Sequence, residues 1–292
     1  MYELVQACGN SYYIECPAKI GLVCVGDGEV VLIDSGSDKD AGRKVRKVLD
    51  ERGWRLRAIY NTHSHADHIG GNRFLQDRTD CAIYAPGPEC AFANHVTFEP
   101  SFLYGGLPSR DLRHKFLMAQ ESRVQPLTRE ALPEGFEWIP LPGHSMDMAG
   151  FRTQDDVVYL ADCVSSEETL AKYQINYLYD PEAYLESLER VKGMAARLFV
   201  PSHAAPTQDI IPLAQMNIDK VHEIASVILE LCGEPRTFEE ALQGLFERFQ
   251  LTMTFQQYAL IGSTLRSYMA WLRDRGELEV EILDSKLLWR RA

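Results

Sequence analysis

The sequence predicts a two-part α/β protein: a sandwich of sheets and helices over residues 1–210, then a smaller, mostly helical unit over 211–292. Three observations carry this. Apolar runs of strand length alternate with stretches of helical spacing through the first two thirds of the chain. One of those runs ends in a loop holding three of the eight histidines. From Ile211 the character changes to long helical stripes closed by one hairpin.

The elements follow in order. Tyr12–Cys16, Ile20–Val25 and Val30–Ile33 read as strands, with Gly26-Asp27-Gly28 as the hairpin turn between the last two. Asp38–Arg52 has helical spacing and stops at Gly53. Leu56–Asn61 is another apolar run. After it come the histidine-rich loop, a short helix from about Ile69 to Gln76 and a strand at Cys81–Ala85. Residues 90–133 offer no convincing strand and carry Phe92, Phe98, Phe102, Tyr104 and Phe116, broken at Gly105-Gly106-Leu107-Pro108. So long a connection reads as a lid or substrate-pocket insertion, or as a helix pair covering the sheet. His95, Tyr104 and His114 are its candidate pocket residues. Strands return at Phe136–Leu141, Gly150–Thr153 and Val157–Ala161. Asp180 and Pro181 open a helix to about Met194, and Leu198–Pro201 is the next strand. Ile218–Leu231, Phe238–Phe249 and Phe255–Arg275 are helical, and Leu278–Trp289 pairs around Asp284-Ser285. Three helices and a hairpin are the order of a winged-helix domain.

Composition narrows the function. Of 292 residues, 46% are hydrophobic and 25% charged, which excludes a disordered chain, a collagen and a coiled coil. Thirty basic residues against forty-two acidic ones give a net charge of −12, a field that repels nucleic acid and anionic membrane. From Asn217 onward nine Lys or Arg stand against twelve Asp or Glu, and the last helical stretch has only Arg266, Arg273 and Arg275. A recognition helix needs more, so the tail is expected to be an interaction and stability module that packs on the first unit or makes a homodimer. None of the seven cysteines forms a C-x-x-C pair, so buried thiols in a reducing compartment are expected. No apolar run approaches the roughly 18 residues of a membrane span. The opening MYELVQACGN lacks the basic and apolar regions of a secretory signal, so a cytoplasmic protein is expected.

The chemistry concentrates in Asn61-Thr62-His63-Ser64-His65-Ala66-Asp67-His68. A strand end sends His63 and His65 to one side, and the following turn sends Asp67 and His68 toward a neighbouring point. Imidazole and carboxylate are the ligands of borderline divalent metals. Pro142-Gly143-His144-Ser145, Leu160-Ala161-Asp162 and Pro201-Ser202-His203 each place a ligand type where a strand meets a loop.

H-x-H-x-D-H, followed by G-H-S, a strand-end Asp and a late His, resembles the metallo-β-lactamase fold superfamily over about residues 10–210. Asp34-Ser35-Gly36 matches that family's early D-x-G turn, whose Asp braces the metal loop. The resemblance implies a four-layer αββα sandwich with two metals at one sheet edge. By it, His63, His65 and His144 hold one metal, Asp67, His68 and His203 hold the other, and Asp162 bridges them. The set is similar to the glyoxalase II and tRNA-processing branches. The winged-helix tail is similar to the subgroup of human β-lactamase-like protein 2. Zinc is the first expectation for the metals, with iron or manganese accepted by the same ligands. The implied activity is hydrolysis of a small-molecule ester, thioester or lactone by a hydroxide held between the metals, with Asp67 and Asp162 as catalytic carboxylates. A phosphodiesterase or ribonuclease is the alternative enzyme, and a DNA-binding regulator the alternative without catalysis.

Overall fold

The computed structural model describes residues 2–292. A seven-stranded sheet runs in chain order: β1 (Glu3–Cys8), β2 (Ser11–Glu15), β3 (Ile20–Gly26), β4 (Glu29–Ile33), β5 (Arg55–Tyr60), β6 (Ala82–Ala85) and β7 (Gln125–Pro126). Its first four strands pair antiparallel, and β4 to β7 pair parallel. The second sheet has β8 (Glu137–Pro140), β9 (Ala149–Arg152), β10 (Val157–Ser165) and β11 (Leu198–His203), with β10 and β11 parallel. A separate hairpin, β12 (Leu278–Leu283) and β13 (Lys286–Arg291), turns through Asp284 and Ser285, both at positive φ.

The period of two sorts each strand's side chains between layers. In β4, Val30 and Leu32 face the helix side while Val31 and Ile33 face the second sheet. In β10, Val157 and Tyr159 return that contact, and Val158 and Leu160 face away. The outer face of the first sheet is covered by α1 (Lys39–Arg52), α2 (Ala66–Ile69), α3 (Asn72–Thr79) and α4 (Gly87–Asn94). Asp38 caps α1 by accepting from the Asp40 and Ala41 amides, and Gly53 ends it at φ +67°.

The remaining helices are α5 (Phe98–Tyr104), α6 (Glu167–Tyr173), α7 (Pro181–Lys192), α8 (Ile211–Leu231), α9 (Phe238–Arg248) and α10 (Phe255–Asp274). One apolar cluster joins the outer face of the second sheet to α7, α8, α9 and α10. The α8 stripe of Ile218, Val221, Ile224, Ala225 and Ile228 is buried in it beside Val158, Leu160 and Phe199. The result is helices, sheet, sheet, helices, with the C-terminal helices completing the last layer.

The structure departs from the sequence reading in four places. The helix expected at Ile69–Gln76 is two helices, α2 and α3, parted at Gly70-Gly71. A Cβ on Gly70 would sit 2.3 Å from the Ser37 backbone, so the chain turns there to press on the 34–38 loop. Strand β1 and helix α6 were not expected; both are half-exposed elements whose side chains show weak apolar periodicity. α8 starts at Ile211, seven residues before Ile218, with Pro212 in its first turn. The 90–133 connection holds α5, most of α4 and the two-residue β7, and it both covers the sheet and walls the cavities described below.

Candidate metal centre

Parallel pairing places the carboxyl ends of β4 and β5 together, and those of β10 and β11 together. Ligand-type side chains leave those ends, where open sheets of this kind keep their sites. Asp34 follows β4; His63, His65, Asp67 and His68 follow β5; Asp162 lies in β10; His203 ends β11; His144 lies between β8 and β9. Two groups form. His63, His65 and His144 bring their ring nitrogens together, and Asp67, His68, Asp162 and His203 bring together four more donor atoms. Every residue expected to bind metal falls in one group or the other.

In the first group His65 Nδ1 lies 3.1 Å from His63 Nε2 and 3.0 Å from His144 Nε2. Metal–nitrogen bonds of about 2.0–2.1 Å in a tetrahedral sphere put neighbouring nitrogens roughly 3.3 Å apart, so this spacing fits such an ion. In the second group His68 Nε2 is 3.1 Å from Asp162 Oδ1, and His203 Nε2 is 3.3 Å from both Asp67 Oδ2 and Asp162 Oδ2. Asp162 Oδ2 also stands 3.5 Å from His144 Nε2, so one carboxylate reaches both groups. His68 Nε2 and Asp162 Oδ1 are buried and have no hydrogen-bond partner. Orphaned polar atoms cost about 1–3 kcal/mol each, and a cation between these two would satisfy both. The donor set is imidazole and carboxylate, which suits borderline divalent metals.

The outer nitrogens show how these rings are aimed. Thr62 Oγ1 donates to Asp34 Oδ2 at 2.7 Å, so it accepts from His63 Nδ1 at 2.9 Å. Asp34 Oδ2 accepts from His68 Nδ1 at 2.8 Å, and Pro17 O accepts from His203 Nδ1 at 2.9 Å. In the neutral ring, a proton on Nδ1 leaves the Nε2 lone pair facing the site, the form in which each ring would bind a metal. Asp34 is buried at φ +64° and also accepts from the Thr62 amide, so it ties the start of the histidine loop to His68. Ala161 is likewise at φ +50°, at a break in the β10–β11 register immediately before Asp162. Cys163 then points into the apolar cluster, where burial pushes its thiol up to about 12.

Charge divides the ligands. Burial holds His65 and His144 down to about 4 and keeps His63 well below its usual value, so these rings are neutral. Burial also opposes charge on His203, but Asp162 and Asp67 outweigh it and lift the ring to about 10. His68 is lifted well above its usual value against burial by Asp162, Asp67 and Asp34.

Two acids that the sequence reading did not single out complete the surroundings. Glu89, 2% exposed, accepts from Ser64 N and Oγ and from Ser145 Oγ and Asp147 N at 2.6–3.0 Å, tying the two histidine loops together. The serines beside His63 and His144, and an acid just after Pro86-Gly87-Pro88, were the available signal. Glu99 reaches within 3.5 Å of His65 Nε2, and burial lifts its carboxyl to about 8. Tyr177 packs its ring on both His65 and His144.

The three expected pocket residues lie elsewhere. His95 caps the end of α4 and stacks on Phe98, Tyr104 packs on Phe255 of α10, and His114 packs on Phe116. None of them lines the cavities at the ligand groups, where the insertion places Phe92, Glu99, Phe102 and the exposed Phe116 instead. Lys115 and Arg123 pair with Asp38 and Asp80 on the surface.

Comparisons with known proteins show the family and the fold. Residues 10–203 match the family model described as "Metallo-beta-lactamase superfamily". The Bacillus subtilis (strain 168) protein named "Probable metallo-hydrolase YflN" is 25% identical over 236 residues, covering 70% of this chain and 84% of its own. A hydroxyacylglutathione hydrolase of Thiobacillus denitrificans is 51% identical over 49 residues, only 16% of this chain and 19% of that protein. The solved structure of a beta-lactamase domain protein from Burkholderia ambifaria superposes with a TM-score of 0.75 at 19% identity, over 99% of this chain and 94% of its own. At that identity the likeness speaks to the fold, and it extends through the C-terminal helices.

Proposed function

Because the chain belongs to the metallo-beta-lactamase superfamily and is a metallo-hydrolase, we propose that it is a dinuclear enzyme hydrolysing small-molecule thioesters or related esters and lactones. One observation carries the dinuclear reading: seven donors form two groups, and Asp162 reaches both. A single tetrahedral ion needs four ligands at most. Zinc suits these donors, and iron or manganese is accommodated by the same set.

His63, His65 and His144 would hold one ion, and Asp67, His68 and His203 the other, with Asp162 between them. Two bound ions supply an activated water near neutral pH and polarise the carbonyl it attacks. The protein's own contribution is placement. Asp34 and Pro17 O fix the His68 and His203 rings, and Glu89 fixes the loops of His63, His65 and His144. Asp67 lines the cavity beside the donors, so its carboxylate is within reach of a proton released by attack. Tyr177 packs its ring on His65 and His144 and lines the cavities beside them. The thioester reading draws on the hydroxyacylglutathione hydrolases among the relatives, whose substrate is an acyl thioester. The net charge of −12 argues against a polyphosphate substrate such as RNA. The tail has the helix and hairpin order of a winged-helix domain, and its burial against the second sheet supports a packing role.

Elemental analysis beside a panel of thioester, lactone and phosphodiester substrates tests the reading. We expect two metals per chain and carbonyl-ester turnover that is lost on chelation and restored by metal. One metal at full occupancy, or turnover of phosphodiesters alone, overturns it.

A further inference from the structure

A cavity of about 700 Å³ is walled by Asp67, His144, Asp162 and His203 and also by α8, α10 and the segment joining α6 to α7. That volume lies in the range of sites that enclose an organic molecule of some size. Leu170, Ile175, Leu178, Val221, Ile224 and Leu260 give it a long apolar stretch. Of the buried polar groups along it, the Tyr268 hydroxyl has no partner, while Ser165, Asn176 and Asn217 are paired with one another. Asn217 Oδ1 accepts from the Ser165 amide at 3.0 Å, its Nδ2 donates to Ser165 O at 2.9 Å, and Asn176 Nδ2 donates to Ser165 Oγ at 2.8 Å. Lys220 is held by Gln174 and Glu223, and Glu168 and Lys172 lie exposed. Two aromatic rings that also line the cavity, Phe116 and Tyr173, are 76% and 48% exposed.

Resting on the hydrolase reading above, we propose that the substrate's acyl arm is a large apolar group seated in this cavity, with α8 and α10 selecting for it. Against that apolar stretch the charges and amides of a glutathione-like thiol arm would go without partners, at a cost in binding. Apolar methylenes find there what they need, and each one buried adds to binding. The C-terminal helices therefore set specificity as well as packing.

The test is a series of neutral N-acetylcysteamine thioesters from acetyl to decanoyl, hydrolysed by the metal-loaded protein. A methylene buried in transit to the transition state raises kcat/KM by about two- to fourfold, so the rate constant should climb steadily along the series. The matching non-hydrolysable thioethers should bind in the same order by calorimetry, with an increasingly negative heat-capacity change. Leu260→Trp, which fills the cavity from a half-buried position, should lower the decanoyl-to-acetyl ratio of kcat/KM at least tenfold, with metal content measured alongside. A flat or falling series with acetyl still turned over defeats this proposal and leaves the hydrolase reading standing. So does an unchanged ratio in Leu260→Trp. No turnover of any thioester in the series defeats this proposal, and the lactone and phosphodiester members of the panel above then decide the hydrolase reading.

Discussion

Replacing Glu89 with alanine removes the one acceptor shared by the two histidine loops. The carboxylate takes two backbone amides, Ser64 N at 2.9 Å and Asp147 N at 3.0 Å, and two hydroxyls, Ser64 Oγ at 2.6 Å and Ser145 Oγ at 2.8 Å. The hydroxyls can turn toward other acceptors, but the amides cannot. Hydrogen bonds to a charged acceptor contribute about 1.5–3 kcal/mol each, so the two amides alone come to roughly 3–6 kcal/mol. The wild-type protein spends part of this in desolvating the carboxylate, so a net loss of about 3 kcal/mol is expected. At roughly 2–4 °C per kcal/mol for domains of this size, Tm falls by about 6–12 °C. The functional loss is selective. Ser64 sits between His63 and His65, and Ser145 follows His144, so the first group loses its tether while Asp34 still holds His68. Affinity for one of the two metals should therefore drop about 10–100-fold, the usual effect of removing a group that orients ligands, and the other should be retained. Glu89→Gln, which keeps the shape but trades two acceptor positions for donors, should fall between. Metal titration by calorimetry and a thermal melt read both effects. Glu89→Ala with two metals at full occupancy and a Tm within about 2 °C of wild type refutes the reasoning.

Four further outcomes follow. Asp34→Ala frees His68 Nδ1 and the Thr62 hydroxyl and should weaken the second metal about 10–100-fold in a competition titration; unchanged affinity there removes Asp34 from its bracing role. In chelator-treated protein His203 titrates near 10, above the roughly 6.5 of an unfolded histidine, so its pairing with Asp162 stabilises fully below about pH 6.5 and is lost as pH rises toward 10. Thermal melts of that form should fall between pH 7 and 10 while the metal-loaded form changes less, and a flat apo profile contradicts the assignment. Gly143→Ala places a Cβ 2.2 Å from the Tyr184 amide at a φ of +119°, so it should displace His144 and cut turnover at least tenfold with the first metal loosened; full activity with normal metal content argues against it. Truncation after residue 210 strips α8, α9 and α10 from the buried faces of Leu188, Val191 and Phe199 and should give an unstable or insoluble protein. In the same preparations, fluorescence anisotropy with duplex DNA should show no strong binding by the intact chain, and submicromolar, salt-sensitive binding lost on truncation would restore the regulatory reading.

Much of the site was legible in the chain because its chemistry is local. His63, His65, Asp67 and His68 lie within six residues, and the strand before them and the short helix after them aim them by backbone period alone. His144, Asp162 and His203 could be named because each ends or follows an apolar run, and Asp34 because Asp34-Ser35-Gly36 resembles the family's early turn. The same periods fixed most strands and the caps of α1 and α7, where Asp38, Gly53 and Asp180 act through neighbours a few residues away. What the tertiary structure decided lies at long range. Glu89 meets Ser145 across 56 residues, and Glu99 meets His65 across a loop that offers no periodicity. The expected pocket residues His95, Tyr104 and His114 were chosen by type, but which ring of an irregular segment turns inward depends on packing partners, here Phe98, Phe255 and Phe116. The apolar stripes of α8 and α10 announced that something covers them. Only the fold shows that it is the second sheet, and that the same helices leave a cavity beside the metal ligands. A stripe records that a face is buried; what it is buried against depends on the whole chain.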